Sequence, residues 1–205
     1  MKTILGSRLS AHLMCAAILF LFAASPSRAR AQRQYNSPSR VSPFEVSVGY
    51  NAIRANAPVG GCGCFYMQGG RAEVGFPVFR WVGGVAEVGG GYANHINSFG
   101  DDVARMTYLL GPRVTHKAGH GTTVFAQTLF GGAHGFDGYF PTATSSSSSA
   151  NSFAFSAGGG VDLRLSQRIA LRVLQADYLY TELPNARGDR QNNPRIGGGI
   201  VVRLH

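Results

Sequence analysis

Twelve charged residues fall on the polar side of segments in which polar and apolar residues alternate, so they could meet inside a closed sheet. They are Glu45, Arg71, Glu73, Glu87, Arg105, Arg113, Asp162, Arg164, Arg172, Asp177, Arg195 and Arg203. Arginine forms bidentate pairs with carboxylates, which suits a confined polar interior. The sequence therefore predicts an interior network of ion pairs. An active site built on perturbed carboxylates is the alternative.

Two smaller groups of residues could also carry chemistry. His95, Ser98 and Asp101 supply the residue types of a nucleophilic site, but their spacing matches no motif. Cys62 and Cys64 predict a disulfide in an oxidising compartment, although a single intervening residue makes the ring tight; free thiols and metal binding are the alternatives. We predict no metal site, no cofactor and no enzymatic activity.

The elements that would position these side chains are eight segments with period-two alternation, which is typical of β-strands with two different faces. The segments are 44–54, 70–79, 84–94, 103–115, 122–133, 152–165, 168–181 and 194–204. Phe125 and Leu129 blur the alternation in the fifth segment. The phase slips in the seventh segment, and a β-bulge near Val173 and Leu174 would restore it.

The length and spacing of these segments favour a membrane barrel. Strands of about ten residues match the requirement of a tilted transmembrane strand, and the connections alternate between short and long. The predicted fold class is all-β, an eight-stranded antiparallel up-and-down transmembrane β-barrel. Side chains fill the interior of a barrel of this size. Aromatic residues near the segment ends, including Phe44, Phe79 and Trp81, fit the girdles at a membrane interface.

Composition supports the same fold class. Charged residues make up 14% of the 205 residues, against about 25% in soluble domains. The 28 glycines argue against a helical bundle, and the 11% of aromatic residues argues against disorder.

The N-terminus has the organisation of a secretory signal. Lys2 and Arg8 precede the apolar run 13–24, and residues 29–31 form a small-x-small cleavage site. The predicted domains are a signal peptide at 1–31, a flexible segment at 32–43 and a barrel at 44–205. Removing the basic residues Lys2, Arg8, Arg28 and Arg30 lowers the formal net charge from +9 to +5. The remaining basic residues are scattered, so we predict no nucleic-acid partner.

Residues 44–205 resemble the small outer-membrane β-barrel families, of which the OmpA transmembrane domain and OmpX are familiar members. The resemblance rests on the signal peptide, the eight strands, the alternating connections and the terminal strand from Arg195 to Leu204. The stretch 172–178, followed by 191–193, looks like the closing hairpin of acidobacterial proteins of this type.

The resemblance implies a monomer in the bacterial outer membrane that contacts outer-membrane lipid and an unknown extracellular ligand. It also implies assembly by the barrel-insertion machinery, although such barrels usually end in an aromatic residue and this chain ends Leu204-His205. The implied role is structural or surface-interacting. A lipid-modifying outer-membrane enzyme and a narrow pore are the alternatives.

Overall fold

The computed structural model describes residues 44–56, 64–94, 102–138, 140–141, 145–185 and 189–204. Their strands are β1 Phe44–Asn56, β2 Cys64–Pro77, β3 Val82–Ala93, β4 Val103–Gly119, β5 Thr122–Phe136, β6 Phe140–Pro141, β7 Ser146–Ser147, β8 Ala150–Arg164, β9 Ile169–Thr181 and β10 Gln191–Leu204. The predicted signal peptide and flexible segment lie outside the described residues. No helix in the described ranges is long and apolar enough to cross a membrane.

Eight of the strands form a closed antiparallel barrel in the order β1-β10-β9-β8-β5-β4-β3-β2, which confirms the predicted fold class. The first and last strands close it, with Phe44 opposite Leu204 and Ile53 opposite Arg195. The strands β6 and β7 form a separate hairpin within the connection from β5 to β8. We call the end that carries Phe44, Leu204 and the short turns the short-turn end. The opposite end is the long-connection end.

Several predicted strand boundaries were wrong: β4 ends at Gly119 rather than 115, β5 ends at Phe136 rather than 133, β10 begins at Gln191 rather than 194, and β2 differs at both ends. The second strand begins at Cys64 rather than Gly70, because its ladder with β1 continues to the pair Asn56 and Cys64. It ends at Pro77, and the backbone N–H groups of Val78 and Phe79 instead donate to the carbonyl oxygen of Val82 in a tight turn.

The predicted bulge in β9 is confirmed. Leu174 pairs with Val161 and Arg172 pairs with Asp162 on β8, so Val173 has no partner in that ladder. Val173 and Leu174 both lie on the outer face, 44% and 43% exposed. The extra residue restores the alternation, because it turns Gln175 inward beyond it.

The two faces of the barrel have opposite chemistry. Large apolar side chains cover the outside, including Val48 at 63% exposed and Leu110 at 58%. Charged side chains point inward, where Glu73 and Glu87 are each 1% exposed. A water-soluble barrel would have the reverse arrangement, so this barrel is built to be surrounded by lipid.

Candidate functional site

Glu73 lies at the centre of the lumen and joins three strands. Its Oε2 atom accepts hydrogen bonds from Nη2 of Arg113 on β4 and Nη1 of Arg172 on β9, each at 2.5 Å. Its Oε1 atom accepts a hydrogen bond from Nε2 of Gln175 at 3.0 Å. A single carboxylate on β2 therefore fixes two arginines from strands that lie on either side of β2 in the barrel.

Further contacts hold these two arginines in place. Arg172 forms a fork with Asp162, with Nε to Oδ1 at 2.8 Å and Nη2 to Oδ2 at 3.2 Å. The Nε atom of Arg113 donates to Oε1 of Gln127 at 2.9 Å. The ring of Phe125 lies 4.4 Å from the guanidinium of Arg113 and 4.3 Å from that of Arg172, which adds two cation–π contacts.

A second group of ion pairs adjoins the first. Arg195 on β10 binds Glu87 on β3 through Nη1 to Oε1 at 2.7 Å and Nη2 to Oε2 at 3.1 Å. Asp177 lies 2.5 Å from Nη1 of Arg71 and 3.2 Å from Nη2 of Arg195. Nε of Arg71 lies 4.0 Å from Oε1 of Glu73 and thereby links the two groups.

The structure brings eight of the predicted residues into this ion-pair network: Arg71, Glu73, Glu87, Arg113, Asp162, Arg172, Asp177 and Arg195. Glu45 and Arg203 form a separate, partly exposed pair at the short-turn end, with Nε to Oε1 at 2.8 Å.

The other two predicted residues lie apart from the network. Arg164 is exposed, because it is the last residue of β8 and lies at the rim of the barrel rather than in the lumen. Its prediction as an interior residue was therefore wrong. Arg105 is buried, but within the described ranges it forms no ion pair.

Sequence reasoning missed the neutral members of the network. Gln127 and Gln175 each hydrogen-bond both to Glu73 and to an arginine of the network. Ser47 donates to Oε2 of Glu73 at 3.1 Å. The alternation along the strands indicates the inward direction of these residues, but a neutral side chain carries no charge signal that marks it as a partner of an ion pair. Phe125 belongs to the lumen as well, which explains why it blurred the alternation of β5.

Apolar side chains fill other parts of the lumen. One cluster lies toward the long-connection end and contains Ile53, Ala55, Met67 and Ala93, with Phe65 and Val103 packed against it. A second cluster contains Val85, Leu109, Leu129, Ala133, Ala154 and Leu179. The described lumen is therefore occupied by a polar network and by apolar packing.

The remaining sequence candidates are only partly described. Cys64 is free and exposed at the first position of β2, where its backbone pairs with Asn56. Its predicted disulfide partner, Cys62, lies outside the described residues. His95, Ser98 and Asp101 also lie outside the described residues.

Comparison with known proteins gives matches at the level of structure. No protein-family model matches the chain, and no curated protein sequence matches it. Neisserial surface protein A is similar, with a TM-score of 0.58 and 12% sequence identity over 80% of this chain and 98% of that chain. Ail, the attachment invasion locus protein of Yersinia pestis, has a TM-score of 0.51 and 16% identity over 77% of this chain and 97% of that chain. A structure of Ail with the heparin analogue sucrose octasulfate matches equally well. At these identities the likeness shows the shared barrel fold.

Proposed function

We propose that this chain is an outer-membrane barrel with a sealed interior, and that its role is structural or surface-interacting. The ion-pair network is the observation that carries this proposal. Its eight charged residues come from six strands and meet across the lumen. A hydrated ion could cross only by separating such pairs, and breaking a buried pair costs about 3–5 kcal/mol.

The apolar outer face and the likeness to known outer-membrane barrels support the outer membrane as the location. Barrels of this class have short periplasmic turns and longer extracellular loops. We therefore assign the short-turn end to the periplasm and the long-connection end to the cell surface. Two neighbours are named as a surface protein and as an attachment invasion protein, which supports a surface-interacting role without identifying a ligand.

Conductance measurements test the sealed interior. We expect the refolded wild-type protein to give no stable unitary conductance steps in planar lipid bilayers, because the network and the apolar clusters occupy the lumen. A porin inserted by the same procedure serves as the positive control. Reproducible wild-type steps whose size changes in Glu73→Gln would contradict a sealed lumen and favour the narrow pore.

Thiol labelling on intact cells tests the location and orientation. Cys64 is exposed at the long-connection end, so a membrane-impermeant maleimide should label it in a Cys62→Ala background. The matched control is Ser166→Cys in a background without Cys62 and Cys64, because Ser166 is exposed at the short-turn end. The control should react only after the outer membrane is permeabilised. Labelling of Ser166→Cys but not of Cys64 on intact cells would reverse the orientation.

A further inference from the structure

Arg105 is a buried cation that the ion-pair network does not use. It lies on the lumen face of β4 and is 6% exposed. Its Nη2 atom has no hydrogen-bond partner, and no carboxylate of the described residues lies within ion-pair distance. A buried charge without a partner is strongly unfavourable, so the site needs a compensating group.

A count of the buried charged side chains leads to the same requirement. Among the described residues the buried cations are Arg71, Arg105, Arg113, Arg172 and Arg195, and the buried carboxylates are Glu73, Glu87, Asp162 and Asp177. Five cations against four carboxylates leave one positive charge in the lumen. Each of the other four arginines contacts a carboxylate, so Arg105 carries the surplus.

Other polar atoms without partners lie on β1 and β10, two adjacent strands on the far side of the barrel from β4. The Nε atom of Arg195 and both side-chain amide atoms of Asn51 are buried and unpartnered. Asn51 pairs with Gly197 on β10, two residues from Arg195. These two strands therefore bring two further donors into the lumen, Nε of Arg195 and Nδ2 of Asn51, that nothing in the described chain satisfies.

The side chain of Arg195 reaches across the lumen to β3, two residues away from the position that pairs with Arg105. Its Nη1 atom would lie 3.4 Å from a Cβ atom placed on Gly89 of β3. Gly91, the next inward position of β3, pairs with Arg105. Two residues along a strand span about 7 Å. The two positive charges consequently repel each other, and a negative charge between them would remove that repulsion.

Apolar side chains cover Arg105 on both sides. Its partner on β5 is Gly135, and a Cβ atom there would lie 2.4 Å from the ring of Phe140, which is itself buried. Its partner on β3 is Gly91, where Ile53 and Met67 pack in the same way. Electrostatic attraction is stronger in such surroundings than in water.

We propose that the lumen binds one small monovalent inorganic anion, such as chloride, at Arg105, with Nε of Arg195 and Nδ2 of Asn51 as further donors. An anion satisfies these donors and also neutralises the surplus charge. A water molecule satisfies the donors and leaves the charge in place. This site is additional to the proposed surface role, because a sealed barrel requires no ligand in its lumen.

Thermal unfolding of the full refolded chain in a non-ionic detergent tests the proposal. Chloride is exchanged for gluconate at constant ionic strength, and unfolding is followed by circular dichroism. We expect the wild-type Tm to be about 3–8 °C higher in saturating chloride, since a ligand that binds the native state alone stabilises it. Arg105→Gln should lose this dependence. Arg164→Gln removes an exposed arginine from the same barrel and should keep it.

Three results would overturn the proposal. They are an equal wild-type Tm in the two salts, an unchanged chloride dependence in Arg105→Gln, and an equal loss of dependence in Arg164→Gln. If Arg105→Gln does not refold, crystals of the wild-type protein grown in bromide provide an independent measurement. An anomalous peak beside the Arg105 guanidinium would support the site. Its absence, with ordinary water density there, would refute it.

Discussion

Replacing Glu73 with glutamine is expected to lower the free energy of unfolding of the barrel by about 3–5 kcal/mol. The substitution preserves the size of the side chain but removes its charge, so Arg113 and Arg172 lose the carboxylate oxygen that each contacts at 2.5 Å. Arg172 keeps its fork with Asp162, but Arg113 has no other carboxylate partner among the described residues, and a buried guanidinium without its counter-charge is costly. Urea unfolding in lipid vesicles, followed by the fluorescence of Trp81, measures the change.

Glu45→Gln provides the matched control for this experiment. It makes the same chemical change in a pair whose carboxylate side chain is 32% exposed, and Arg203 can be hydrated when that pair is lost. An exposed pair of this kind contributes no more than about 1 kcal/mol. Equal destabilisation by the two substitutions would show that the interior network has no special part in stability.

Replacing Gly69 with alanine is expected to reduce the yield of folded barrel sharply. The free energy of unfolding should fall by about 1–3 kcal/mol. A Cβ atom at this position would lie 1.8 Å from the backbone carbonyl oxygen of Gly90 on β3. That oxygen belongs to the sheet itself, so β2 and β3 would have to move apart. Heat-modifiable mobility on gels measures the folded fraction.

The neighbouring residue supplies the control. A Cβ atom on Gly70 meets nothing closer than 3.8 Å, because this position faces outward. Gly70→Ala is therefore expected to fold with the yield of the wild type, although it makes the same change one residue away. Similar yields for the two variants would mean that the close approach of β2 and β3 does not limit folding.

The sequence contained enough information for the barrel and its two faces. Lipid on one side and packed polar groups on the other impose a strict alternation, and this alternation also located the bulge at Val173. The boundaries of β2 were harder to predict. Its first residues continue the ladder beyond the glycines at 69 and 70, and those glycines interrupt the pattern of side chains.

The alternation along a strand predicts that a side chain points into the barrel. It does not predict how far along the barrel axis the side chain lies or which residue it contacts. Arg164 and Arg172 share the predicted inward face, yet Arg164 lies at the rim while Arg172 contacts Glu73 across the lumen. The pairing depends on how the strands are staggered around the closed barrel, which no local pattern reports. The same limit applies to Arg105, whose isolation from carboxylates is a three-dimensional property.

The closing pair of strands makes completion of the chain a condition for a stable barrel. Until β10 is present, β1 keeps an unpaired edge and Glu87 lacks the fork that Arg195 provides. An open edge is poorly tolerated in hydrocarbon, and so is a buried carboxylate left with only a longer contact, here from Glu87 to Arg71 at 3.8 Å. A chain truncated before its last strand thus carries two separate penalties against entering the bilayer, so we expect it to insert less well than the full-length chain.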